Sequence, residues 1–117
     1  MKLFRKHLLV TAHGSTVDLI TMELGEPSKA CLIRHIAAWD VTNACSYYIE
    51  VGIGDVNGIN VLNRITGTLT ANQICAYSQP FILPHDEGLY AAFTYATASD
   101  KIHMFVMGEY SDGPLEG

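Results

Sequence analysis

Five histidines, three cysteines and twelve carboxylates are the side chains of this chain able to hold a metal or move a proton. The histidines are His7, His13, His35, His85 and His103. None forms an HxH or HExxH pair, and no double-histidine strand followed by a glutamate occurs, so the spacing that sets two imidazoles on one metal is missing. Surface or hydrogen-bonded structural roles suit them better. His85-Asp86-Glu87 is dense in polar groups, but neighbours on a turn point in different directions, and a triad is defined by spatial roles. Between Pro84 and Gly88 it reads as a solvated turn. There is no GxSxG. Gly52-Ile-Gly-Asp-Val-Asn-Gly has glycines without a following helix or lysine, so a phosphate cradle is unsupported. Gly52 and Gly54 read instead as a bulge or a close strand approach. Asp40, Asp55 and Asp100 lie near turns without the DxDxDG spacing of a calcium loop, and they read as turn caps. Cys31, Cys45 and Cys75 are odd in number and lack CxxC spacing, which argues against a disulfide framework or structural zinc and for small buried hydrophobes. The expectation is a protein with no catalytic residue, no cofactor and no metal ligand: not an enzyme.

Composition says what such a chain does instead. At 117 residues there is room for one domain. Hydrophobic residues make up 49% and charged residues 16%, against about 25% charged in an average soluble domain. Low charge together with six tyrosines and four methionines suggests a surface partly covered by partners, as in a homo-oligomer (dimer or trimer). The net charge of −5 disfavours nucleic acid, which needs clustered lysine and arginine. The cations gather at the start, in Lys2, Arg5, Lys6 and His7, where they could lie against an acidic neighbour. No segment approaches the length of a membrane span, and the apolar run after Lys6 is too short for a signal peptide. Cysteine usage suits synthesis in a reducing cytoplasm.

Strands must position these residues. Short strands are predicted at Leu8 to Ala12 and Thr16 to Leu24, with a loop at 25–29. Ala30 to Trp39 follows, nearly continuous in apolar residues except for Arg34 and His35, with Trp39 expected in the core. A helix over Ala30 to Ala38, or one turn within 70–77, is the alternative, but neither keeps a 3.6 period for long. Asp40 to Asn43 is a turn. Tyr47, Ile49, Val51 and Ile53 alternate onto one face. Asn57-Gly58 marks a hairpin tip, Ile59 to Leu69 gives one or two strands, and Ile74 to Tyr77 and Phe81 to Leu83 flank Pro80. The last two strands, Leu89 to Tyr95 and Ile102 to Tyr110, joined at Ala98-Ser-Asp-Lys, read as a β-hairpin with one face buried and one available. The fold expected is all-β: a single antiparallel β-sandwich, jelly-roll-like, of about eight short strands, with a small closed barrel as runner-up. Residues 1–12 are an N-terminal arm or first strand, 13–110 the sandwich, and 111–117 a flexible tail. Interface candidates are Lys2, Arg5, Lys6, Tyr48, Tyr90, His103, Phe105 and Met107.

Ile36-Ala-Ala-Trp-Asp-Val-Thr-Asn, Ile49-Glu-Val-Gly-Ile, a Pro-x-x-Leu-Pro stretch before Gly88-Leu-Tyr-Ala-Ala-Phe, and Val106-Met-Gly-Glu-Tyr carry a resemblance. Over Ala30 to Tyr110 the chain resembles small β-sandwich proteins of tailed-bacteriophage virions. The resemblance implies a structural protein of the capsid-decoration or cement type. It would bind the major capsid protein and its own copies at the capsid surface, with neither nucleic acid nor membrane as partner. A neck or tail accessory, or a carbohydrate- or receptor-binding module, is the alternative. A small jelly-roll enzyme with a His-bound metal would require three of the five histidines, or histidines with carboxylates, in one cavity. If residues 1–12 act as an arm, deleting residues 1–7 should weaken attachment and leave the thermal transition nearly unchanged.

Overall fold

The computed structural model describes residues 2–24, 30–43, 45–55, 58–84 and 87–110. The predicted loop at 25–29, the Asn57 half of the hairpin tip, His85-Asp86 and the tail 111–117 lie outside them. The described residues hold nine strands and no helix: β1 (Lys2–Thr11), β2 (Val17–Met22), β3 (Cys31–Asp40), β4 (Cys45–Asp55), β5 (Gly58–Leu69), β6 (Cys75–Tyr77), β7 (Phe81–Leu83), β8 (Leu89–Thr94) and β9 (Lys101–Tyr110).

The pairing follows one rule. Strand β4 pairs with β5, β3 with β6 and β7, β2 with β8, and β1 with β9, all antiparallel. The chain is thus a long double ribbon that pairs first with last and then rolls up. Rolling adds the contacts β3·β9 and β8·β4 and gives two sheets. Sheet A has the order β1-β9-β3-β6 with β7 also on β3, and sheet B the order β2-β8-β4-β5. This is the jelly roll, in which each sheet interleaves strands from the two halves of the chain. The expected eight positions hold nine strands because Pro80 splits the edge beside β3. A proline cannot donate to the ladder, so β6 covers Ile36–Ala38 and β7 covers Cys31–Ile33 with a break between them.

The terminal hairpin is overturned. Strand β8 lies in sheet B between β2 and β4, and β9 lies in sheet A between β1 and β3. The turn at Ala98-Ser99 exists, with the Asp100 N–H donating to Thr97 O at 2.9 Å, but it carries the chain across the sandwich. A polar turn between two alternating runs is the same signal whether the chain folds back in one sheet or arches to the other.

The core lies between the sheets, built on Ile20, Ile33, Ile36, Ile49, Phe93 and Met104. Strand β3 is a strand throughout, and its two polar residues are explained by a bulge between Ile33 and His35. The extra residue, Arg34, lets Arg34 and His35 avoid the core while Ile33 and Ile36 both enter it. Strand β1 is an integral strand in register with β9 from Lys2 to Thr11, and the Phe4 ring packs 4.6 Å from that of Tyr110. Deleting residues 1–7 would therefore remove sheet pairing and core cover along with any attachment, so it cannot leave the thermal transition unchanged.

Candidate interaction surface

The outward side of sheet A brings together Leu3, Leu9, Ile82 and Met107, all exposed, with the half-buried Trp39 and Phe105. Side chains alternate across a strand, so the inward set of β9 (Ile102, Met104, Val106, Gly108, Tyr110) leaves His103, Phe105, Met107 and Glu109 pointing out. Antiparallel register then aligns them in rows. Leu9, His103 and Trp39 form one row; His7, Phe105 and Ala37 the next; Arg5, Met107 and His35 the third; Leu3, Glu109 and Leu32 the last. Leu3 is 73% exposed, Leu9 59% and Ile82 on β7 54%, while Trp39, His103 and Phe105 are half-buried by one another. The His103 ring lies 4.4 Å from Trp39 and 5.3 Å from His7. Trp39 is thus a surface residue and not the core residue its apolar strand suggested, because the bulge sets its half of β3 in this phase.

The imidazoles of this face are held by neighbours. His103 Nε2 lies 3.3 Å from His7 Nδ1. Burial, and then the neighbouring His7, push the His103 imidazole below its ordinary value, so this ring resists taking a charge. His35 Nδ1 pairs with Ser78 Oγ at 2.8 Å, and Arg34 Nε donates to Glu109 Oε1 at 3.1 Å. His7 and His103 are only a pair. Among the described residues no group of three histidine, cysteine, aspartate or glutamate side chains could hold a metal.

Of the interface candidates, Arg5, His103, Phe105 and Met107 meet on this face. Lys2 and Lys6 belong to the same strand but to its other side, and Lys6 lines a groove of 430 Å³ between the edges β1 and β2. Tyr48 lies on sheet B, half-buried, with the Arg64 guanidinium 4.2 Å above its ring. Tyr90 is not an interface residue: it is 0% exposed. Strand β8 is buried on both sides, and the Tyr90 hydroxyl donates to Glu50 Oε2. Glu50 in turn receives Arg64 Nε at 3.0 Å and Nη2 at 2.6 Å. A Cβ on Gly52 would overlap the Asn60 carbonyl and come within 2.6 Å of the Tyr90 ring, so glycine is what lets that ring lie flat on the sheet.

Two tyrosines were misplaced by alternation. Tyr47 and Tyr95 fall on the inward phase of their strands, yet they are 65% and 50% exposed. Both have positive φ, 73° and 51°, which turns the side chain out of phase. Their rings meet edge-on at 5.2 Å. The detectable signal is Thr94, whose buried hydroxyl accepts from the Tyr48 N–H at 2.8 Å and faces the carbonyls of Ser46 and Tyr48, standing in for ladder bonds beyond the end of the β4–β8 pairing. At the same end of the molecule buried carboxylates tie the turns: Asp40 accepts from the Thr42 and Asn43 N–H groups, and Asn43 Nδ2 donates to Asp100. These aspartates are turn caps, as their positions suggested. Cys45 is buried beside Asp40, which with burial pushes its thiol up to about 12.

No protein-family model matches the chain, and no curated protein matches it in sequence. Among solved structures it is similar to the core of Drosophila NLP, from a crystal structure concerned with pentamer formation and histone binding, at 13% identity and a TM-score of 0.46 over 95% of this chain and 100% of that one. It is also similar to the extra small virus of the giant freshwater prawn Macrobrachium rosenbergii in its virus-like particle, at 12% identity and a TM-score of 0.43 over 100% of this chain and 82% of that one. At such scores the function has to be argued from this chain's own surface.

Proposed function

We propose that this protein is a structural module that works by protein–protein contact: a virion protein that decorates and cements a capsid by binding the major capsid protein and its own copies. The observation that supports the reading is the outward face of sheet A, where Trp39, Phe105, Met107, Leu3 and Leu9 stand in adjacent rows interleaved with His7, His103, Arg5 and Glu109. Exposed patches of this composition mark protein contact sites. The reading assigns the chain no catalysis and no cofactor. The proposed place is the capsid surface after synthesis in the host cytoplasm.

The test is the copy number of the chain per particle, by quantitative mass spectrometry of virions purified from its source. Copies comparable to the major capsid protein support a decorating role. A handful per particle moves it to the neck or tail, and absence from particles overturns the reading.

A further inference from the structure

We propose that β1 is a strand-addition site: an extended acidic segment of a partner protein pairs with its free edge and prolongs sheet A. This rests on the chain being a protein-binding module but not on its binding its own copies.

Strand β1 pairs with β9 along its length and ends the order of sheet A. Half of its main-chain N–H and C=O groups therefore point away from the sheet, the template an added strand needs. The other edges are less suited. Pro80 breaks the edge made by β6 and β7. Strand β5 is tied near its middle to β6, with Asn63 Nδ2 donating to Ala76 O at 2.6 Å. Strand β2 has only six residues against ten in β1.

Two hollows lie along β1. The first, of 430 Å³, is lined by Arg5, Lys6, His7 and Leu8 of β1 and by Thr21, Met22 and Glu23. The second, of 370 Å³, is lined by Leu3, Phe4, Arg5 and Met107. Side chains of an added strand alternate between the two sides of a sheet, and both hollows offer them room beside the edge.

Charge selects the occupant. Lys2, Arg5 and Lys6 crowd this edge in a chain of net charge −5, and among the described residues Glu23 is the one carboxylate lining either hollow. A second copy fits poorly in registers centred on Arg5 and Lys6, where an antiparallel β1 pair sets cation against cation, and like charges facing across strands repel. An acidic strand meets the same row with attraction.

The test uses the full chain and three labelled eight-residue peptides read by fluorescence anisotropy: one alternating Glu and Val, one alternating Lys and Val, and the acidic one with prolines at alternate positions. A labelled single-stranded DNA octamer is the fourth probe. The Glu/Val peptide should bind at least about tenfold more tightly than the others and weaken as salt screens the charges. It should slow amide hydrogen exchange at every second residue of β1. The Arg5→Glu/Lys6→Glu variant, changed only at exposed side chains, should lose that binding. Equal binding of the proline peptide or the DNA, or binding without alternate amide protection, would mean charge attraction alone and overturn the proposal. No binding of the Glu/Val peptide also overturns it, whatever the copy number on particles.

Discussion

Glu50 sits on the outward side of a sheet and is nevertheless 1% exposed, so its charge has to be held by partners. Arg64 and Tyr90 supply them from the two neighbouring strands, and Gly52 leaves the room. Burial and the adjacent carboxylate push the Tyr90 hydroxyl well up, so it stays protonated, and a donor, around neutral pH. Tyr90→Phe keeps the ring and removes the donor, leaving one buried carboxylate oxygen unmatched. The expected loss is about 1–3 kcal/mol, the range for a buried acceptor left unsatisfied, read as a lower urea midpoint with an unchanged m-value. A midpoint within error of the parent would mean that water or Arg64 replaces the hydroxyl. The network stiffens sheet B and leaves no free Tyr90 for a partner.

At the scale of elements, the pairing of β4 with β8 ends at Ile49 and Phe93, and the Thr94 hydroxyl takes over beyond that point. It ties down the segment in which Tyr47 adopts positive φ, and that segment presents Tyr47 against Tyr95. Thr94→Val is nearly isosteric but leaves the Tyr48 N–H without its acceptor. A loss of about 1–3 kcal/mol follows, with loss of the Tyr47–Tyr95 ring contact in NOE spectra. Retention of that contact would show that the segment keeps its conformation without the hydroxyl. The same elements show what was legible beforehand. Alternation along Ile102 to Tyr110 placed His103, Phe105 and Met107 on one outward face because β9 is half-buried and keeps strict period two. It failed for Tyr90, since a strand buried on both sides erases the contrast on which alternation depends. It failed for Tyr47 and Tyr95, since a residue in the left-handed region breaks the phase and only a glycine or asparagine would have announced it. The sandwich could be read from turn spacing, but the partners of β8 and β9 could not, because a turn does not record which sheet the chain enters next.

For the molecule as a whole, the rolled ribbon puts β1 and β9 side by side, so the first and last strands together build the face proposed to bind copies. His7 comes from one and His103 from the other, and docking would strip water from both rings. The charged form of His103 is then penalised further, so the docked state holds fewer protons than the free protomer. By linkage, association is favoured above the ordinary histidine range and lost as pH falls through it. Burial and then His7 already push His103 below its ordinary value, so the loss sets in toward the acid side of that range. Light scattering at fixed concentration should show oligomers at pH 7.5 and protomers at pH 5.5. Replacing both rings, His7→Gln with His103→Gln, should flatten the pH dependence, because the two imidazoles packed on each other are then gone and His35, hydrogen-bonded to Ser78, is the one left on the face. Parallel thermal melts at both pH values separate this from a change in fold stability, since the buried Asp40 carboxyl, pushed up by burial, titrates as well. An oligomer indifferent to pH in the parent protein would place the self-contact on another surface, with the exposed Tyr47–Tyr95 pair at the far end of sheet B the next to examine by charge substitution.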